Sequence, residues 1–204
     1  MKIEIKKLML SAAIIGLSGC SFMSPVKNIP DCGYMINAVP NHVKTSRRHS
    51  GVMMVMVPDI NSAYNTSKIA FTTRPYQLSY YNNSHWIQSP QEMLSPLLVA
   101  TLQKTGRFKT VTMPPLAGQY NYALRTQIKA LYVDYTERTP VLRLKLQEDL
   151  VAANSGRVIA SRNFSAAEPL PAKTPYAAVY AANQATEKLL AEIAAWCVSR
   201  IYEP

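Results

Sequence analysis

Ser89-Pro90-Gln91-Glu92-Met93-Leu94-Ser95-Pro96-Leu97-Leu98-Val99-Ala100-Thr101-Leu102-Gln103-Lys104-Thr105-Gly106 is the stretch from which the fold can be read. Ser89 falls at an N-cap, Pro90 at the first helical position and Glu92 at the third, so serine and glutamate can satisfy each other's orphan backbone donors. Met93, Leu94, Leu97, Leu98, Thr101 and Leu102 then recur at the spacing of one helix face. Gly106 supplies the left-handed residue that ends such a helix. Pro96 has no amide to give to the carbonyl of Glu92, so a bend is expected in the second turn. The helix divides two groups of strand-like segments.

Upstream of it, Gly33 to Val39 alternates weakly, and Pro40 to Gly51 is a polar loop. Val52-Met53-Met54-Val55-Met56-Val57, stopped by Pro58, has the length and branched content of a strand buried on both faces. Asp59 to Ser67 reads as a polar loop. Lys68 to Thr73 and Tyr76 to Tyr81 read as two strands split by Arg74-Pro75, and Asn82-Asn83-Ser84 reads as a turn. Downstream, Phe108 to Met113 is a short strand stopped by two prolines. Tyr120 to Tyr135 is a long alternating strand whose phase slips near Gln127, as at a bulge. Val141 to Leu146 and Val158 to Phe164 flank the hairpin signal Asn154-Ser155-Gly156. Ala166 to Pro175 reads as a proline-rich linker. Thr174-Pro175 opens a last helix to about Arg200, with Val179, Ala182, Thr186, Leu189, Leu190, Ile193, Trp196 and Cys197 on its apolar face. The expectation is an α+β fold: a mainly antiparallel sheet with two long helices packed on one face.

The beginning of the chain is different in kind. Lys2, Lys6 and Lys7 precede the apolar run Leu8 to Leu17, which is too short to span a bilayer permanently. Ser18-Gly19 supplies small residues, and Cys20 follows. Leu17-Ser18-Gly19-Cys20 resembles the bacterial lipobox, in which the cysteine is acylated and becomes the first residue of the mature chain. One acyl chain binds a membrane only reversibly, whereas the three that such lipoproteins carry hold it durably. In enterobacterial-type lipoproteins Asp after the cysteine retains the protein in the inner membrane, so Ser21 implies, on this resemblance, export to the outer membrane. Residues 1–19 are thus read as a signal peptide, 20–31 as a lipid-anchored tether and 32–204 as one domain.

Half of the 204 residues are apolar and 17% are charged, which is enough for a core and argues against disorder. The net charge of +10 raises the question of nucleic acid. Export argues against that partner and leaves anionic lipid head groups, or plain solubility, as its meaning. With Cys20 acylated, Cys32 and Cys197 remain, and in an oxidising compartment they form either a disulfide or two separate buried thiols.

Catalytic signals are absent. His42, His49 and His85 are far apart and none has a metal-ligand neighbour at a usable spacing. There is no phosphate-binding glycine loop and no nucleophile elbow. Glu148-Asp149, the one adjacent acidic pair, reads as a strand end at the surface. Neither enzyme activity, a metal nor a cofactor is expected. What stands out is aromatic: Phe71, Tyr76, Tyr80, Tyr81 and Trp86 lie within sixteen residues. They are either a binding surface for a partner or lipid, or in part core, since Tyr and Trp can pack with one end wet.

The same stretch carries a resemblance. Ile69-Ala70-Phe71, Arg74-Pro75-Tyr76-Gln77-Leu78, Tyr80-Tyr81, Trp86, Ser89-Pro90, Met93-Leu94-Ser95-Pro96-Leu97-Leu98 and Gly106-Arg107-Phe108 together resemble the ABC-type transport auxiliary lipoprotein family. The likeness runs loosely through the later strands and last helix. It departs at His85, where such proteins usually have Arg before the Trp, and in the Cys32 and Cys197 pair. The resemblance implies a non-enzymatic accessory of an MCE-type (mammalian cell entry) system that moves lipids across the periplasm. Its partner would be an MCE-domain protein, and its anchor would be Cys20 on the periplasmic face of the outer membrane. Homo-oligomerisation is compatible with it, and nucleic acid is not a partner. A free-standing lipid carrier and a structural envelope lipoprotein are the alternatives.

Anchor and fold are separate on this reading, because Ser21 to Pro30 adds little to any core. Cys20→Ser should leave a folded protein that moves from the membrane fraction to the soluble fraction. A variant that still sediments with outer membranes would refute the anchor.

Overall fold

A computed structural model describes residues 30–43, 51–115 and 118–201; Cys20, the signal segment and nearly all of the tether lie outside them. The elements in chain order are β1 (Cys32–Tyr34), β2 (Val52–Val55), β3 (Asp59–Ile60), β4 (Lys68–Thr72), β5 (Ser79–Trp86), α1 (Pro90–Lys104), β6 (Thr110–Thr112), β7 (Tyr122–Asp134), β8 (Val141–Ala152), β9 (Val158–Pro169) and α2 (Pro175–Arg200).

Strand β7 is the spine. Leu124, Thr126 and Ile128 are buried while Arg125, Gln127 and Lys129 are exposed, the period of a strand with one covered face. Beyond Lys129 the inward positions become Leu131 and Val133, and the β7–β8 register shifts between Ile128 and Ala130. The expected bulge is therefore real and sits two residues past Gln127. On one edge β7 pairs antiparallel with β8 from Tyr122↔Ala152 to Asp134↔Val141. On the other edge three short strands follow one another, all parallel: β2 opposite Tyr122 to Leu124, β3 opposite Gln127 and Ile128, and β4 opposite Tyr132 to Asp134. Outward from these, β6 pairs parallel with β2, β5 antiparallel with β4, and β1 parallel with β5. β9 pairs antiparallel with β8.

The sheet is thus mixed, not mainly antiparallel as expected. Alternation reports which side of a strand is covered and says nothing of direction. Only a tight hairpin signal does that, and Asn154-Ser155-Gly156, with Gly156 at φ +65°, is the one that both sequence and structure contain. The α+β class holds. Both helices contribute to one main core, with α2 over β8 and β9, α1 over β2 and β6, and the two helices in contact. Ala178, Ala182 and Ala185 are completely buried, and residues this small let the α2 backbone come close to the sheet. A second, small cluster of buried apolar residues, Met54, Ala123 and Val151, is separate from the main core.

The helix boundaries follow their caps. The Glu92 carboxylate accepts from the Ser89 amide at 2.9 Å and the Ser89 hydroxyl at 2.8 Å, and these bonds hold its pKa below the usual range. Thr105 is the C-cap, and Gly106 follows it at φ +64°. Pro96 stays inside α1 on its exposed side, where water can satisfy the carbonyl left without a donor. The Thr174 hydroxyl accepts from the Ala177 amide at 3.1 Å and opens α2 where expected.

Several boundaries moved. The strand expected over Tyr76–Tyr81 is β5, from Ser79 to Trp86, so Asn82-Asn83-Ser84 is strand and not turn. Pairing with β4 on one side and β1 on the other overrides the turn preference of the asparagines. The supposed linker after Phe164 continues as strand to Pro169, because Ala166, Ala167 and Glu168 still have partners on β8. The strand expected over Val52–Val57 ends at Val55; Val52–Val55 is buried on both faces as expected, with Met53 and Val55 fully covered, whereas Val57 is exposed.

Two chemical expectations are corrected by burial. Cys32 lies on β1 beside Tyr34, whose ring meets Tyr176 at the start of α2, 6.4 Å between centroids. Cys197 is fully buried some twenty residues further along that helix, roughly 30 Å at 1.5 Å per residue. A disulfide needs Cα atoms within about 7 Å, so the two thiols are not joined to each other. Burial pushes the Cys197 thiol far above its ordinary pKa, which keeps it protonated and inert. Glu148 is not at a surface strand end. It is completely buried in mid-β8, opposite Thr126, whose hydroxyl donates to Oε2 at 2.8 Å. Oε1 has no hydrogen-bond partner among the described residues. Burial raises its pKa from 4.5 to about 8, partly offset by the Thr126 bond and helped by the charge of Asp149.

Both facts are testable. Unfolded without reductant in an alkylating agent, the protein should gain a label on Cys32 and on Cys197; a missing pair of labels would restore the disulfide. Between pH 4.5 and 8 folded Glu148 keeps a proton that the unfolded chain releases. Its contribution is therefore complete below the unfolded pKa and declines through that window by about 1.4 kcal/mol per unit. Glu148→Gln should remove this slope, leaving stability similar at pH 5 and higher at pH 8 in urea titrations. An unchanged slope would place the proton elsewhere.

Candidate functional site: an aromatic turn and groove

The fold divides the five aromatic residues that the sequence clusters. Trp86, the last residue of β5, is 2% exposed and belongs to the main core, so it is removed from the set of contact residues. Phe71 and Tyr81 are half-buried on the core side of β4 and β5, their ring centroids 4.8 Å apart. Tyr135 completes this group, edge-on to Phe71 at 6.0 Å, with its hydroxyl 2.6 Å from that of Tyr81. Burial, reinforced by the bond to Tyr135, pushes the Tyr81 phenol far up, so it stays neutral. These rings close the end of the core.

Tyr80 faces the other side. It pairs across from Ala70, and its hydroxyl donates to the Ala63 carbonyl at 2.8 Å, which ties down the loop after β3. That loop delivers Tyr64, which stacks on Tyr132 of β7 at 6.2 Å and 11°.

Tyr76 stands apart from all of these. The Gln77 amide donates to the Arg74 carbonyl at 3.4 Å, which closes a four-residue turn. The Thr72 hydroxyl donates to the same carbonyl at 2.7 Å. Pro75 takes the second turn position and Tyr76 the third, at φ +65°. This is the type II pattern, in which the third position normally belongs to glycine. A left-handed conformation costs an ordinary L-residue about 1–2 kcal/mol. Here it is adopted by a tyrosine whose side chain is fully exposed. The ring is exposed, so burial in the core does not account for the conformation.

Beside the turn lies a groove of about 420 Å³, lined by Tyr64, Pro75, Tyr76, Leu78, Tyr132 and Asp134 among others. Its polar end is fixed. The Asp134 carboxylate accepts from the Thr136 amide at 3.0 Å, the Thr136 hydroxyl at 2.6 Å and Arg143 Nε at 2.8 Å. Arg143 also pairs with Glu137. Burial works against the charge on Asp134, but Thr136 and Arg143 outweigh it and hold the carboxyl below the usual range. The arrangement is an aromatic platform with an ionised end, suited to recognition. Among the described residues no group of three His, Cys, Asp or Glu could hold a metal ion.

Phe71, Tyr76, Tyr80 and Tyr81 therefore stay at one end of the sheet with different roles, and only Tyr76 is presented outward. Tyr64, Tyr132, Asp134 and Arg143 have no mark in the sequence, because they are assembled by contacts between distant segments: β8 sets Arg143 opposite Tyr132, the loop after β3 stacks Tyr64 on Tyr132, and the pairing of β4 with β7 brings the turn beside them. In Arg74-Pro75-Tyr76-Gln77 the proline marked a turn, but a tyrosine in the third position gave no sign of the positive φ that the structure shows.

Residues 34–194 match the model of a family described as the ABC-type transport auxiliary lipoprotein component. Among solved structures, a protein of Xanthomonas campestris is 21% identical over 84% of this chain and 95% of its own, with a TM-score of 0.73. An uncharacterized protein is 16% identical over 83% of this chain and 99% of its own, with a TM-score of 0.68. A hypothetical protein of Chlamydia trachomatis is 8% identical over 76% and 99%, with a TM-score of 0.51. At these identities the structures share the fold alone. A comparison with curated proteins finds no match.

Proposed function

The chain belongs to the ABC-type transport auxiliary lipoprotein family, and from that premise we propose that it is a non-enzymatic accessory of an MCE-type transport system. Cys20 holds it on the periplasmic face of the outer membrane. The domain docks the far end of an MCE-domain protein whose permease and ATPase lie in the inner membrane, so that lipid passes between the membranes through the MCE component. The observation that carries this reading is the family match, which spans nearly the whole folded domain. The aromatic turn supports it, since a tyrosine held in a costly conformation and fully exposed is what a docking hot spot needs.

Co-purification tests the reading. The anchored protein should capture an MCE-domain protein. A protein that captures none and retains lipid alone would be a carrier, and one that does neither would be structural. Tyr76→Ala should weaken capture by about 30-fold, the loss of roughly 2 kcal/mol typical of a hot-spot aromatic. Tyr76→Gly should weaken it as much while raising stability by up to about 1 kcal/mol, because glycine accepts the positive φ. Full capture by both variants would remove Tyr76 from the interface.

A further inference from the structure

Four exposed apolar side chains surround the strand at which the chain enters its fold. Among the described residues eight large hydrophobic side chains are exposed, and Met35 (46%), Ile87 (49%), Tyr176 (67%) and Tyr180 (53%) are half of them. They are gathered by β1, the edge strand of the sheet. The Ile87 amide donates to the Tyr34 carbonyl at 2.8 Å, and a Cβ on Gly33 would meet the Ile87 side chain at 3.0 Å. The Tyr34 ring reaches Tyr176, and the Asn183 side chain donates to the Met35 carbonyl at 3.1 Å. Met35 and Ile87 thus lie on one side of β1 and Tyr176 on the other, with Tyr180 one turn further along α2 from Tyr176.

We propose that this edge is the face that the domain lays on a lipid bilayer with anionic head groups; the proposal rests on the anchoring read at Cys20. The folded unit begins at Asp31, whose carboxylate is 3.0 Å from His85 Nδ1, and His85 is the register partner of Gly33 in this same edge. A tether over residues 20–31 spans at most about 40 Å when fully extended, and it joins the folded unit at this edge. Tyrosines with an apolar ring and a polar tip suit the depth of the head groups. The charge is right as well. Lys68, the register partner of His85 on β4, is exposed, and so is Lys173 just before α2. A second copy adding itself to the sheet is poorly served, because β1 offers three residues of ladder.

Tyr180→Trp places a reporter on the face in the full chain, while Trp86 and Trp196, 2% and 4% exposed, give a constant background. The probe is a vesicle of phosphatidylethanolamine and phosphatidylglycerol with brominated acyl chains. The expected result is flotation with the vesicles, a blue-shifted emission and a loss of that emission to bromine. A protein that floats with unquenched, unshifted emission refutes the face and leaves the anchor standing. A blue shift that bromine does not quench, with a doubled mass in sedimentation, assigns the edge to a second copy and refutes the membrane. A protein that does not float refutes face and anchor together.

Discussion

Every other element takes its place from the two edges of β7. One edge is committed along its whole length to β8, and through β8 to β9 and the long helix above them. The other is divided among β2, β3 and β4, each too short to form an independent ladder. A two-residue strand such as Asp59–Ile60 persists only because β7 is already fixed on its far side. The bulge at Lys129 is part of the same constraint. It moves the inward set from Leu124, Thr126 and Ile128 to Leu131 and Val133, so both halves of a 13-residue strand face one core. Without it the second half would turn its apolar residues to solvent, as any one-residue slip does.

What could be read in advance was local. Ser89 with Glu92, Thr174 with Pro175, and Asn154-Ser155-Gly156 each describe a structure complete within a few residues, and each is where the sequence puts it. Strand direction is not local. Val52 to Val55 alternates or runs apolar in the same way whether its neighbours are parallel or antiparallel, and both its neighbours are parallel. Asn82-Asn83-Ser84 illustrates the same limit from the other side. Its turn preference is genuine, and it loses to hydrogen bonds supplied by β1 and β4, which are distant in sequence.

The candidate site was legible as composition and not as arrangement. Five aromatic residues in a short stretch mark something, but Trp86 and Tyr76 are extremes of burial ten residues apart. The difference arises because Trp86 ends a strand within the main core, whereas Tyr76 follows a proline that reverses the chain. Glu148 was misread for a related reason: an acidic pair is assumed to be wet, and the depth of β8 in the middle of the sheet overrides the assumption. Natural sequences tend to break local rules where function needs it. Tyr76 breaks one openly at the surface, and Glu148 breaks one in the core.

The hairpin of β4 and β5 relates the two proposed surfaces. Tyr76 lies in the turn before β5 begins at Ser79, and Ile87 lies just past the end of β5 at Trp86. Eight strand residues at about 3.3 Å each put roughly 26 Å between those ends. Lys68 and His85 sit at the tether end of this hairpin, and Thr72 and Pro75 at the other. A domain that rests its β1 edge on the membrane therefore holds Tyr76 and its groove at the far end of the same rigid hairpin, turned away from the lipid. On the proposed function, that is the side from which the MCE-domain protein would dock. The parallel pairing of β4 with β7 gives the strained turn a fixed base, which limits the ordering that binding would cost.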